Sequence, residues 1–142
     1  MGTTTFSGPV KAGSTSNVGF ALMAQSTKIT FGANGSTNVV ATLPANSQIF
    51  QITVDVTTAF NAGTTNTLDI GDGTTADQFA DALALGTAAR VLATSDTSQI
   101  PNLVDIGTSD VSVTTTYNQT GSAASAGAAT VTVLYIQNNN LS

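Results

Sequence analysis

The chain has 142 residues, which suits one domain with a moderate core, and only 8% of them are charged. Its net charge is −5, and its three cations, Lys11, Lys28 and Arg90, are too few and too scattered to bind nucleic acid or an anionic membrane surface. The absence of His and Cys excludes a Ser-His-Asp triad, a cysteine nucleophile and the usual zinc sites.

Residues 1–17 are rich in Gly, Thr, Ser and Asn and predict an extended N-terminal arm. They lack the apolar stretch of a secretory signal, and no apolar run in the chain approaches the roughly 18 residues of a spanning helix. We therefore expect a soluble protein made in the cytoplasm. Phe6 is a lone aromatic side chain in this arm, and we expect it to be an anchor against a neighbouring molecule.

Short apolar runs follow the arm at a spacing of about ten residues, separated by turn-forming residues. The runs cover 18–23, 28–31, 38–43, 49–57, 66–70, 90–94, 110–118 and 129–137. This spacing predicts an all-β fold, an antiparallel β-sandwich or jelly-roll-like domain over residues 18–142. The segments 33–38 and 119–127 are predicted to be hairpin connections, the second long enough to form a mobile tip.

Alternation along the longer runs predicts which side chains face the core. One stripe begins at Phe50 and continues through Ile52, Val54 and Val56, and Val131, Val133 and Tyr135 form another. The phenylalanines expected in the core are Phe20, Phe31, Phe50, Phe60 and Phe79. Leu134 and Ile136 make the second face of the last strand apolar as well, so association of several copies could bury it.

The stretch 69–81, DIGDGTTADQFAD, holds four of the eight acidic residues. A calcium site built from Asp69, Asp72 and Asp77 is one interpretation, but the EF-hand pattern fails because Gly71 and Gly73 occupy ligand positions. We favour a turn at 69–73 followed by one short helix over 76–85, capped by Asp77. We therefore expect no metal site here.

Enzymatic chemistry is not expected from this sequence. An Asp–Asp glycosidase would need paired carboxylates in a cleft lined with aromatic side chains, and the chain has no Trp and two Tyr. Neither lysine lies in a phosphate-binding glycine loop. The sequence predicts no catalytic residue and no cofactor.

Three segments resemble the head decoration, or capsid cement, proteins of tailed bacteriophages. They are TTTFSGPVKAG at 3–13, LPANSQIFQITVDVTTAFNAGTTNTLDIGDG at 43–73 and GSAASAGAATVTVLYI at 121–136, which resembles the final hairpin of these proteins. The resemblance implies a non-enzymatic virion structural protein that binds the outside of the phage head. It further implies a homotrimer that stabilises the shell by holding neighbouring copies of the major capsid protein.

On this resemblance, the arm residues Phe6, Pro9 and Val10 are expected to contact the capsid or an adjacent subunit. An extended polar segment such as 2–12 can pair with an exposed sheet edge of another chain. The alternative is a phage tail or fibre-type domain, or an adhesin-like binding module. A fibre domain usually belongs to a longer chain, and an adhesin should carry a secretory signal.

Overall fold

The structure of the chain is a computed structural model that describes residues 21–93 and 105–137. These residues form eight β-strands and one short 3-10 helix, Phe31–Ala33. The strands are β1 (Ala21–Thr30), β2 (Thr37–Leu43), β3 (Ser47–Thr58), β4 (Thr65–Gly71), β5 (Ala80–Ala84), β6 (Arg90–Leu92), β7 (Val111–Thr120) and β8 (Ala128–Gln137). The predicted arm at 1–17, with Phe6, Pro9 and Val10, lies outside the described residues, as does Phe20.

The strands form two four-stranded antiparallel sheets packed face to face. Sheet I has the order β1-β8-β3-β6, and sheet II has the order β2-β7-β4-β5. Within this part of the chain, each connection between consecutive strands crosses from one sheet to the other, apart from the one between β4 and β5. The prediction of an all-β antiparallel sandwich is therefore confirmed.

The core lies between the two sheets and follows the predicted period of two. On β8, Val131, Val133 and Tyr135 are buried, while the residues between them are partly exposed. Val113 and Tyr117 of β7 face them from sheet II, and both are buried. The stripe on β8 confirms the predicted inward face of the last strand.

The predicted apolar runs 18–23 and 28–31 both overlap a single strand, β1. β1 pairs with β8 without interruption, from Ala21 opposite Gln137 to Thr30 opposite Ala128. The polar residues 25–27 that separate the two runs lie on an edge strand of sheet I. An edge strand tolerates polar side chains on either face, so they did not mark a turn.

The helix predicted over 76–85 is wrong, because this segment contains strand β5. Ala80 pairs with Ile70 and Leu83 pairs with Leu68, and a register shift separates the two pairs. Phe79, Ala80 and Leu83 are buried, so the apolar residues do reach the core, but as part of sheet II. Cross-strand pairing and burial outweigh the modest helix propensity of a short Ala- and Asp-rich segment.

The two predicted hairpins are also wrong, since 33–38 joins β1 to β2 and 119–127 spans from β7 to β8, and both connect the two sheets. The second connection is not a free tip either. The Asn61 side chain accepts hydrogen bonds from the Ser125 and Ala126 N–H groups, each at 2.9 Å. Turn-forming residues mark where a strand ends, but they do not specify which sheet the chain enters next.

Two of the predicted core aromatics are exposed. Phe31 lies in the 3-10 helix at the end of β1, and Phe50 lies in β3 with 60% of its surface exposed. By contrast, Phe60 and Phe79 are buried as predicted. The ring of Phe60 packs against that of Tyr117, with centroids 4.7 Å apart and planes tilted by 53°.

Candidate interaction surface

The acidic stretch at 69–81 contains a hydrogen-bonded turn and strand, and the carboxylates of Asp69 and Asp72 accept hydrogen bonds from the chain itself. Asp72 accepts hydrogen bonds from the N–H groups of Thr74 and Thr75, at 2.8 and 2.7 Å. Asp69 accepts one from the Ala82 N–H at 2.9 Å and one from the Asn118 amide at 2.7 Å. The turn-forming role predicted for Asp72 is confirmed.

The calcium interpretation finds no support in this geometry. In residues 21–93 and 105–137, no group of three or more acidic side chains is placed to hold a metal ion, so Asp69, Asp72 and Asp77 do not form such a group. Asp77 lies in the irregular segment before β5, and because no helix follows it, its predicted capping role is wrong.

The outer face of sheet II is lined by hydroxyl groups. Thr37 and Thr116 face each other across β2 and β7, with their hydroxyl oxygens 3.1 Å apart. Thr65 and Thr120 do the same across β4 and β7, at 2.7 Å. Among the exposed side chains on the described strands of sheet II, Val39 is the only large apolar one. This face is polar without being strongly charged.

The outer face of sheet I differs, because one end of it is apolar. Leu22 of β1 lies directly opposite Ile136 of β8, and Leu134 lies opposite a bulge in β3 that contains Phe50. Directly opposite residues share a face of the sheet. Leu22 and Phe50 are 58% and 60% exposed, and Leu134 and Ile136 are partly exposed. We call these four residues the apolar patch.

The bulge explains why Phe50 is on the outside. Ile49 and Ile52 both point into the core, so two residues, Phe50 and Gln51, occupy the outer side between them. The register shifts between Ile49 and Gln51, as expected when one strand carries an extra residue. The alternation through Ile52 and Val54 gave no sign of this, since the bulge is visible only in the pairing with β8.

The other end of the same face carries the charges. Lys28, Thr130, Asp55 and Arg90 occupy one cross-strand row over β1, β8, β3 and β6. The Arg90 Nε donates a hydrogen bond to Asp55 Oδ1 at 2.6 Å, and this bond and the carboxylate charge raise the pKa of Arg90. The pair is exposed to solvent, so we assign it little weight in folding stability.

The edge strands β1 and β2 are tied together by side chains. The Gln25 amide donates to the Thr42 carbonyl at 3.1 Å and to the Tyr135 hydroxyl at 2.9 Å, and the Thr27 hydroxyl donates to the Val40 carbonyl at 3.3 Å. These bonds fix the two sheets at one side of the sandwich.

The fold is similar to chains in two solved bacteriophage capsids. In the capsid asymmetric unit of cyanophage Pam1, the similarity has a TM-score of 0.63 and 18% identity, and it covers 97% of this chain and 100% of that one. In the acid-stable capsid of Helicobacter pylori bacteriophage KHP30, the TM-score is 0.53 at 18% identity, with 82% and 87% covered. No family model and no curated protein matches the chain.

No helix in the described residues has the length and hydrophobicity that a membrane span requires. At 18% identity the two capsid chains establish a shared fold. The chain therefore shares the β-sandwich fold of these two chains, and in its described residues one outer face is polar and the other partly apolar.

Proposed function

We propose that the chain is a structural protein of a bacteriophage virion, and that it acts as a decoration protein on the outside of the head. The observation that carries this proposal is the similarity to a capsid chain over nearly the whole length of both molecules. The segments at 3–13, 43–73 and 121–136 support the decoration role in particular, because they resemble that family.

The use of the carboxylates fits a structural role. Besides Asp69 and Asp72, Asp110 accepts a hydrogen bond from the Ala45 N–H at 2.9 Å, and Asp105 accepts one from the Gly107 N–H at 2.7 Å. Acidic side chains used in this way brace loops. A decoration protein needs no general acid, base or nucleophile, so the proposed role is non-enzymatic.

The strand order supports a jelly roll, which we propose as the finer description of the sandwich. Except between β4 and β5, consecutive strands lie in different four-stranded sheets, and the first and last described strands, β1 and β8, are neighbours in sheet I. Jelly rolls of this size occur in viral capsid proteins. Such a sandwich is compact and rigid, which suits a protein that must resist outward pressure on a shell.

We further propose that the decoration protein is a homotrimer and that its arm contacts the major capsid protein. Phe6, Pro9 and Val10 are the apolar residues available for this contact. An arm that adds to an exposed strand edge of a capsid subunit would gain main-chain hydrogen bonds as well as apolar contacts.

Co-sedimentation with phage heads that lack this chain tests the function. We expect the purified full-length protein to sediment with intact heads and to raise the temperature at which they release DNA. A variant lacking residues 2–12 should lose binding while its own melting temperature is unchanged. Binding to isolated tails but not to heads would contradict the decoration role and favour a tail or fibre-type module.

A further inference from the structure

We propose that the apolar patch, formed by Leu22, Phe50, Leu134 and Ile136, is the surface through which copies of this chain associate. The inference rests on the proposed function, in which a decoration protein is an oligomer, and it names the surface that forms the contact. The outer face of sheet II offers no comparable surface in its described strands, because hydroxyl side chains line it.

The patch is contiguous and lies on three paired strands, β1, β8 and β3. Leu22, Ile136 and Leu134 are neighbours across the β1–β8 pair, and the bulge in β3 brings Phe50 next to Leu134. A large aromatic side chain that is 60% exposed on a paired strand is unusual for an isolated molecule. Aromatic and aliphatic side chains that cluster on an otherwise polar surface typically mark a protein interface.

The distribution of charge favours a second copy as the occupant. The described cations, Lys28 and Arg90, lie on the outer face of sheet I with one carboxylate, Asp55. Sheet II and its β4–β5 connection hold four aspartates and no lysine or arginine. These four are Asp69, Asp72, Asp77 and Asp81.

Two copies of a chain with a net charge of −5 repel each other least when these acidic sides point apart. Contact through sheet I achieves this orientation. Asp105 forms a backbone β-bridge with Gln48 at the rim of the patch, and its carboxylate accepts a hydrogen bond from the Gly107 N–H of its own loop. The four patch residues themselves carry no charge. An uncharged patch contributes no charge to be desolvated when copies of the chain meet through it.

The first test compares Phe50→Asp with Val39→Asp. Val39 is the matched control, because it is 56% exposed on the outer face of sheet II and is likewise a large apolar residue on a strand beside a register shift. We expect the full-length wild-type protein to be oligomeric by native mass spectrometry. Phe50→Asp should weaken association by about tenfold or more, whereas Val39→Asp should leave it unchanged.

A wild-type protein that is monomeric at tens of micromolar, or an oligomer that Phe50→Asp leaves intact, would overturn the inference. The co-sedimentation result is independent of both outcomes, so the proposed function can stand while the patch is rejected. If Phe50→Asp abolishes head binding but leaves the oligomer intact, the patch contacts the capsid instead of a second copy.

The second test uses the absence of cysteine, which makes a single introduced thiol unique. Leu22→Cys changes the patch less than a charge does, and it should give cross-linked species between copies with a short bifunctional maleimide. Val39→Cys, on the opposite sheet, should give none. Equal cross-linking at both positions, or none at Leu22→Cys, would overturn the inference even if Phe50→Asp failed to fold.

Discussion

Replacing Gly127 with Ala would force a methyl group into the ring of Phe60. Gly127 has φ of +150°, and a Cβ built on it would lie 2.5 Å from two ring carbons of Phe60. Phe60 is 2% exposed and cannot swing out to solvent, because its other side packs against Tyr117. The two residues join the β3–β4 connection to the loop that leads into β8.

The expected cost has two parts. Overpacking a core contact costs about 1–3 kcal/mol, and a non-glycine residue at this φ adds about 1 kcal/mol. Gly127→Ala should therefore lower the free energy of unfolding by about 2–4 kcal/mol, or roughly 10 °C in Tm for a chain of this size. Phe60→Ala alone should cost about 3–5 kcal/mol.

A double-mutant cycle tests the reasoning, with stability measured by urea denaturation. If the clash with the Phe60 ring causes most of the loss in unfolding free energy, Gly127→Ala should cost only about 1 kcal/mol when Phe60 has already been replaced by Ala. The two losses would then be strongly non-additive. Additive losses within about 0.5 kcal/mol would show that the ring contact does not limit position 127 and would refute the explanation.

Three further results are expected. Ala82→Gly should stabilise the protein by about 1 kcal/mol in urea denaturation, because Ala82 has φ of +50°, which glycine adopts without strain. The backbone N–H of residue 82 still donates to Asp69 in this variant, and a lower urea midpoint would contradict the expectation. EDTA and added calcium should leave Tm unchanged, and a Tm that rises with calcium would restore the metal interpretation of 69–81. Stability should fall as pH rises above about 10, since burial raises the pKa of Tyr117 and so disfavours its phenolate in the folded state. Tyr117→Phe should reduce this alkaline loss in urea midpoints measured from pH 8 to 11, and an unchanged profile would count against Tyr117 as its source.

The sign of that pH effect follows from which state binds the proton more tightly. The folded protein retains the Tyr117 proton to a higher pH than the unfolded chain, so the stabilisation is complete below the unfolded pKa and declines above it. The hydroxyl lies 2.7 Å from Asn66 Oδ1, to which it donates, and this bond needs the neutral form. Tyr117→Phe also removes this bond, which lowers stability at pH values where Tyr117 is neutral.

The sequence predicted the class of the fold because the apolar period of two is long in β3, β7 and β8. It did not reveal β5, where local composition favours a helix and only pairing with β4, as between Leu83 and Leu68, makes a strand. It also did not distinguish a hairpin from a sheet crossing, because both need the same turn residues. Alternation is a local signal, whereas the partner of a strand is a property of the whole fold.

The surface proposed for association was predictable only in part. Leu134 and Ile136 mark an apolar second face on β8, and this is visible in the sequence. Leu22 and Phe50 join them only through the register with β1 and the bulge in β3. Phe50 continues the inward pattern of Ile52, so the same alternation that located β3 assigned its aromatic residue to the wrong side.

The central claim is that this chain is a decoration protein on the phage head. A cryo-electron microscopy reconstruction of intact particles that contain the chain tests it most directly. The proposal predicts density for the two-sheet sandwich on the outer surface of the head, grouped about local threefold axes. Density confined to the tail or its tip, with a bare outer head surface, would contradict it.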